Sequence, residues 1–207
     1  DGYYRATGRI GVVSTTSGPG VAGLTSPLGG ATTDTSGVLV VSSTVHSSMV
    51  GKNRGGLHDL NDALEMMRAV CGPVARCSTV AGIPHVIRDL VFEIRCRRPR
   101  AAFCEIPLDL MRMEDEVVLP SMVRPDRPQP GSDSVLEAVD LLAEASRPVL
   151  WTGTGALISG ASDEVDQLAR KLGAVVITSM LGQGLLPADH PNLVCRDGVI
   201  LNPVNAL

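Results

Sequence analysis

Aromatic residues are scarce in this 207-residue chain, making up 2% of it as Tyr3, Tyr4, Phe92, Phe103 and Trp151. With 44% apolar residues overall, the core must be assembled from Val, Leu, Ile, Ala and Met. No apolar run reaches the roughly 18–20 residues that a membrane span needs. No charged-then-apolar start marks a signal peptide. An excess of positive charge is also missing: 18 Lys and Arg face 22 Asp and Glu, a net charge of −4. That argues against a general nucleic-acid binder, which carries a basic face. The five cysteines, Cys71, Cys77, Cys96, Cys104 and Cys195, are odd in number and lack CxxC spacing. They read as reduced thiols in a cytoplasmic or organelle-matrix protein rather than as a disulfide framework. No Cys or His pair sits at metal-ligand spacing, so no metal site is expected. The chain opens at Asp1 without an initiator Met, and both ends read as cut.

What is present is an alternation of short β-rich runs with segments of helical period. Strands are expected over Ile10–Thr16, Val38–Ser43, Val74–Ser78 and Ala101–Ile106. Between them, Val21–Thr32 reads as a short helix packed closely through small residues, and Leu60–Val70 and Pro84–Arg97 read as helices with one apolar face. A stretch with Pro120, Pro125, Pro128 and Pro130 follows, which can neither continue a helix nor pair in a central strand. It reads as a linker over residues 119–133, separating residues 1–118 from residues 134–207. Beyond it, Ser134 and Glu137 form a capping-box start, and strands are expected at Pro148–Thr152 and Ala174–Thr178. Alternating strands and helices imply α/β architecture: two doubly wound, Rossmann-like three-layer domains with parallel sheets, both incomplete.

Four segments invite a functional reading. Ser17-Gly18-Pro19-Gly20 follows a strand and, with Gly23, spells GxGxxG. Two features oppose a nicotinamide site. Pro19 has no N–H for a pyrophosphate, and the next strand ends in Ser42-Ser43-Thr44 where an acidic residue should hold the ribose. A tight turn and a loop for another ligand both stay open. Thr152-Gly153-Thr154-Gly155 likewise sits at a strand's carboxyl end, where glycines admit a ligand and a following helix start favours phosphate. An ordinary β-to-α turn accounts for it equally well. Arg95, Arg97, Arg98 and Arg100 lie at a helix C-terminus, where the helix dipole alone favours positive charge. His58 and Asp59 offer acid–base chemistry, or Asp59 caps the helix that follows.

Taken together, these segments resemble the acetolactate-synthase-like superfamily of thiamine-diphosphate enzymes. Asp1–Arg9 is similar to its "ADGYARATGRPGV" run, and Val13–Gly20 to its "VTSGPG" turn. Asp34 with Val38–Val41 resembles "AYADSVPLLVI", and Arg98–Arg100 with Glu105–Asp109 resembles "RPGPVxxEIPLDV". Arg147–Leu150, Gly153, Gly155, the run Thr178–Pro187 and His190-Pro191 resemble the family's central domain. The resemblance implies a fragment holding the C-terminal part of a pyrimidine-binding domain and the N-terminal part of a central domain. It implies decarboxylation of a 2-oxo acid on thiamine diphosphate, with carboligation as in branched-chain amino acid biosynthesis. Gly18, Pro19, Gly20 and Gly23 would face the thiamine. His58 falls near an active-site Gln, and Gly153, Gly155, Thr178 and Met180 match positions that touch FAD in members that bind it. The Gly51–Leu60 run also resembles relatives that decarboxylate a guanidino-oxo acid.

Further expectations come with the family. Mg²⁺ would enter through a domain outside this chain, as would the Glu that activates the thiamine ring. A homodimer or homotetramer would share the cofactor. The fragment alone is expected to be inactive, and a non-catalytic α/β module is the alternative of another class. Gly23 stands where the family often has Asn. Thr32 and Gly37 replace its Tyr and Pro, which reads as a loosely packed variant or a divergent sequence.

Overall fold

The computed structural model describes residues 1–122 and 129–194. The centre of the expected linker, including Pro125 and Pro128, and Cys195 lie outside the described residues. The chain divides into two compact units, Asp1–Arg127 and Pro128–Leu207.

In the first unit α1 (Gly2–Thr7) leads into β1 (Gly11–Thr15), and α2 (Pro19–Gly23) and α3 (Thr25–Thr33) follow. Next come β2 (Val38–Thr44), α4 (Ala63–Val70), β3 (Val74–Arg76), α5 (Ile83–Cys96) and β4 (Ala101–Pro107). The four strands form one parallel sheet in the order β1-β2-β4-β3. Residues alternate between its faces, so the interior strands β2 and β4 each feed two cores. Val38, Val40, Ala101 and Phe103 meet Val21, Leu28, Ala31 and Met67 from α2, α3 and α4. Leu39, Ala102, Cys104 and Ile106 meet Leu90 and Ile94 of α5. Helices therefore cover both faces, and all seven residues of β4 are buried. This is the three-layer, doubly wound arrangement that a continuous apolar strand requires.

Three local expectations are corrected here. The single helix expected over Val21–Thr32 is two, with the break at Leu24. Pro27 cannot donate to the carbonyl of Gly23, so an unbroken helix would leave that acceptor unsatisfied. Pro27 is tolerated in the first turn of α3, where N–H groups have no intrahelical partner. α1 was not foreseen, because it buries none of its residues; it closes on Gly8 in the left-handed conformation. Gly37 marks tight packing, not loose. A Cβ there would come within 2.8 Å of Tyr4 Cε2 and 2.9 Å of Ile94 Cγ2. The ring of Tyr4 fills the space that a larger residue would claim.

The second unit contains α6 (Ser132–Glu144), β5 (Val149–Thr152), α7 (Thr154–Ser159), α8 (Ser162–Leu172) and β6 (Val175–Thr178). β5 and β6 pair in parallel, and Leu193 adds a parallel bridge at Val176. Ala169, Val176 and Leu186 form the buried centre of its core. The capping box expected at Ser134 and Glu137 is absent: α6 begins three residues earlier, with Gly131 as its N-cap and no side-chain cap.

Buried His190 anchors the segment after β6. Its Nδ1 accepts the N–H of Asn192 at 3.2 Å, leaving Nε2–H to donate to Asp166 Oδ1 at 2.5 Å. That bond, followed by one from Arg170, holds the Asp166 carboxyl below the usual carboxylate range. A carboxyl lowered in the folded state contributes stability above its unfolded pKa and loses it as pH falls through the folded value. Thermal melts between pH 7 and pH 3 should therefore show wild type losing Tm below about pH 4 more steeply than Asp166→Asn. Parallel losses would mean that the His190–Asp166 contact does not form in solution.

Candidate functional site

Ligands of open parallel sheets bind outside the carboxyl ends of the strands. In the first unit that edge is built from the loops after β1 and β2. The first loop is tied down where the Ser17 N–H donates to Ser43 Oγ at 3.1 Å, at the end of β2. Gly18 follows with φ +62° and ψ −113°, a conformation closed to L side chains, and is the N-cap of α2. Pro19 sits at the first position of α2, where its missing N–H leaves no bond unmade.

The loop after β2 comes back onto this turn. A Cβ on Gly18 would lie 2.7 Å from His58 O and 2.8 Å from its Cα and Cβ. His58 itself is left-handed, with φ 62°. The glycine thus lets two loops, forty residues apart in sequence, touch backbone to backbone. A Cβ on Gly20 would meet Thr15 Oγ1 and approach Thr16 Cγ2 within 3.1 Å, so this glycine too is required by packing. Gly23 differs: it ends α2, and nothing lies within 4 Å of where its Cβ would be.

Asp59 does not cap α4. That cap is Asp62, whose Oδ1 accepts the N–H of Glu65 at 2.9 Å. Asp59 instead holds a buried Oδ2 with no hydrogen-bond partner, beside a cavity of about 50 Å³ also lined by Thr44, Asp62, Arg76 and Glu105. Glu105 is 1% exposed and binds Arg76 Nε through Oε2 at 2.6 Å. This half-buried ion pair was not anticipated. Its sequence signal was a single acid inside the apolar run of β4, a residue that cannot be buried without a partner.

The arginine cluster lies at the opposite edge, before β4, and Arg97, Arg98 and Arg100 have structural partners. Arg98 donates to Thr33 O at 2.7 Å and Thr35 Oγ1 at 2.9 Å. Arg97 pairs with Glu93 at 3.2 Å. Arg100 packs beneath Gly72, where a Cβ would come within 2.9 Å of its Nη1.

In the second unit Gly153 and Thr178 follow one another across the carboxyl edge of β5 and β6, since Thr152 pairs with Thr178. Gly153 is the N-cap of α7, a helix of only six residues. A Cβ on Gly182 would lie 3.1 Å from Gly153 Cα and 3.0 Å from Thr152 O. These glycines serve loop-on-loop packing. Gly155 faces open space and Met180 is exposed. Among the described residues, no group of three or more His, Cys, Asp or Glu could hold a metal ion. No helix among them is long and apolar enough to cross a membrane.

A doubly wound parallel sheet with a glycine-built loop pair at its carboxyl edge defines an α/β protein of the open-sheet class, whose ligands bind at that edge. Two family models then narrow the class. Residues 1–66 match the N-terminal TPP-binding domain of thiamine pyrophosphate enzymes, and residues 135–205 match their central domain. The chain belongs to the thiamine pyrophosphate enzyme family. A probable 2-ketoarginine decarboxylase of Pseudomonas aeruginosa is 36% identical over 197 residues, 92% of this chain and 34% of that protein. A probable acetolactate synthase large subunit of Methanococcus aeolicus is 30% identical, over 92% of this chain and 33% of its own length. The sulfoacetaldehyde acetyltransferase of Alcaligenes xylosoxydans xylosoxydans is 33% identical, with 92% and 31% covered. The chain thus spans about a third of the curated relatives it matches. An X-ray structure from Mycobacterium smegmatis, assigned as a thiamin diphosphate-dependent enzyme, shares the fold with a TM-score of 0.76 at 19% identity. The match covers 93% of this chain and 37% of that one.

Proposed function

We propose that this chain forms part of a thiamine-diphosphate-dependent enzyme that decarboxylates a 2-oxo acid. The observation that carries the reading is the apposition of Gly18 and His58 at the carboxyl edge of the sheet, inside the segment that matches the TPP-binding domain. The residues present fit the cofactor's pyrimidine ring. Gly18, Pro19 and Gly20 offer a surface with no long side chain, in a backbone shape that a Cβ would destroy. When bound, thiamine diphosphate supplies the electron sink for the carbanion left by decarboxylation. His58, an exposed imidazole beside that surface, would hold or release a proton at a ring nitrogen.

Two fates of the carbanion equivalent are supported equally. Joining it to a second 2-oxo acid follows the acetolactate synthase relatives, and protonating it follows the 2-ketoarginine decarboxylase relative. In this reading the diphosphate and Mg²⁺ are held by parts of the enzyme other than these residues. The enzyme works in a reducing compartment as a homodimer or homotetramer. FAD at Gly153, Gly155, Thr178 and Met180 has less support, because the matching family descriptions speak of thiamine pyrophosphate alone.

The test is an assay of the full gene product with thiamine diphosphate and Mg²⁺, supplying pyruvate and 5-guanidino-2-oxopentanoate in turn. Carbon dioxide release that depends on thiamine diphosphate is expected with one of them, and the products separate ligation from simple decarboxylation. No cofactor-dependent turnover of any 2-oxo acid would leave the non-catalytic module as the reading. Titration calorimetry of the 207-residue chain alone should show only weak thiamine diphosphate binding. Micromolar affinity would overturn the assignment of the diphosphate to other parts of the enzyme.

A further inference from the structure

Cys77 and Cys104 place their Sγ atoms 3.7 Å apart, both in the core beneath α5 and both at most 1% exposed. Nothing in the proposed reaction uses them. Their position follows from the sheet: Cys104 lies on β4, and Cys77 comes one residue after β3, its N–H bonded to Glu105 O at 2.9 Å. Neighbouring residues do the same on the other face, where Arg76 reaches Glu105. The edge strand is therefore tied to β4 twice, by an ion pair on one face and by two facing thiols on the other. Cys71 belongs to the core on the opposite face, and Cys96 ends α5 partly exposed.

We propose that Cys77 and Cys104 are a thiol-disulfide modification site that reversibly staples β3 to β4. The approach required is from 3.7 Å to a bond of about 2.0 Å, between side chains already aimed at each other. β3 has three residues and lies at the sheet edge, the kind of element that opens locally and admits a small oxidant. Cys77 is the attacking thiol, because it lies just beyond the edge strand β3, whereas Cys104 lies on the interior strand β4.

The oxidant is a low-molecular-weight disulfide. The Cys77 thiolate attacks one of its sulfurs, forming a mixed disulfide and expelling one thiolate. Cys104, giving up its proton, then displaces the second thiolate and closes the Cys77–Cys104 bond. Two electrons pass to the oxidant, and the two protons lost by the cysteines convert it into two thiols. The closed bond would fix Arg76 and Glu105, which line the cavity beside Asp59, so thiol oxidation would reach the wall of the candidate site.

The test is to treat the native protein with oxidised glutathione, quench in acid, alkylate in denaturant and map the peptides by mass. The expected result is a Cys77–Cys104 linked peptide, two mass units lighter than the reduced pair and released by dithiothreitol. Cys96 should carry a glutathione adduct, which reports that oxidant was present. Recovery of Cys77 and Cys104 as alkylated thiols, or linked to other partners, overturns the proposal. A Tm raised by about 5–10 °C after oxidation is expected for a loop of about 28 residues closed in native geometry. A lowered Tm would show that the bond forms only in an opened state, and would overturn it as well.

Discussion

Gly18→Ala in the full-length enzyme is expected to lower kcat/KM for its 2-oxo acid by about a hundredfold. Two effects combine. An L residue at φ +62° and ψ −113° carries backbone strain of about 1–3 kcal/mol. The new methyl also falls 2.7–2.8 Å from His58 backbone atoms, which are not a flexible side-chain end that can swing away. One of the two loops must move, and a displacement approaching 1 Å at a site that positions reactants costs on the order of 10²-fold in rate. The comparison is Gly23→Ala, in open space at the end of α2, which should leave stability within about 0.5 kcal/mol or raise it. Steady-state kinetics over a range of thiamine diphosphate concentrations would check the first variant. An unchanged kcat/KM would remove the Gly18 loop from the active site.

Phe103→Ala should destabilise the first unit more than any exposed substitution, by about 3–5 kcal/mol. Phe103 is fully buried on the central strand β4 and packs among Val21, Val40, Met67 and the small residues Ala31 and Ala101. Small neighbours cannot rotate in to refill the space, so most of the cavity persists. Urea denaturation followed by far-ultraviolet circular dichroism would measure the loss. A change below about 1 kcal/mol would mean that this core rearranges around the gap.

How much could be read from the chain before folding differs from element to element. β4 was legible because the apolar run Ala101–Cys104, resumed at Ile106, suits a strand covered on both faces. α5 was legible from its spacing of Val86, Ile87, Leu90 and Ile94. α1 was missed because it buries nothing and so has no apolar face to reveal it. The helix break at Leu24 was missed because Pro27 acts on a carbonyl four residues earlier, a longer reach than local pattern shows. At the candidate site, Ser17–Gly20 stood out as a turn, yet its contact with His58 joins residues forty positions apart. Only the resemblance to a family had assigned both to an active site, and it gave no contact between them. The Arg76–Glu105 pair and the Cys77–Cys104 pair share one cause of illegibility: register between β3 and β4 creates them, and register belongs to the folded sheet.

The scarcity of aromatic rings has an optical consequence. Trp151 is the single tryptophan and lies exposed on β5 of the second unit, whereas Tyr3 and Tyr4 stand in α1 of the first. Indole emission therefore follows the second unit alone, and it starts from a solvated ring whose spectrum changes little on denaturation. Quenching by iodide would report whether anything covers Trp151 when the protein assembles. Tyrosine signals would follow the first unit, so each half carries its own intrinsic label.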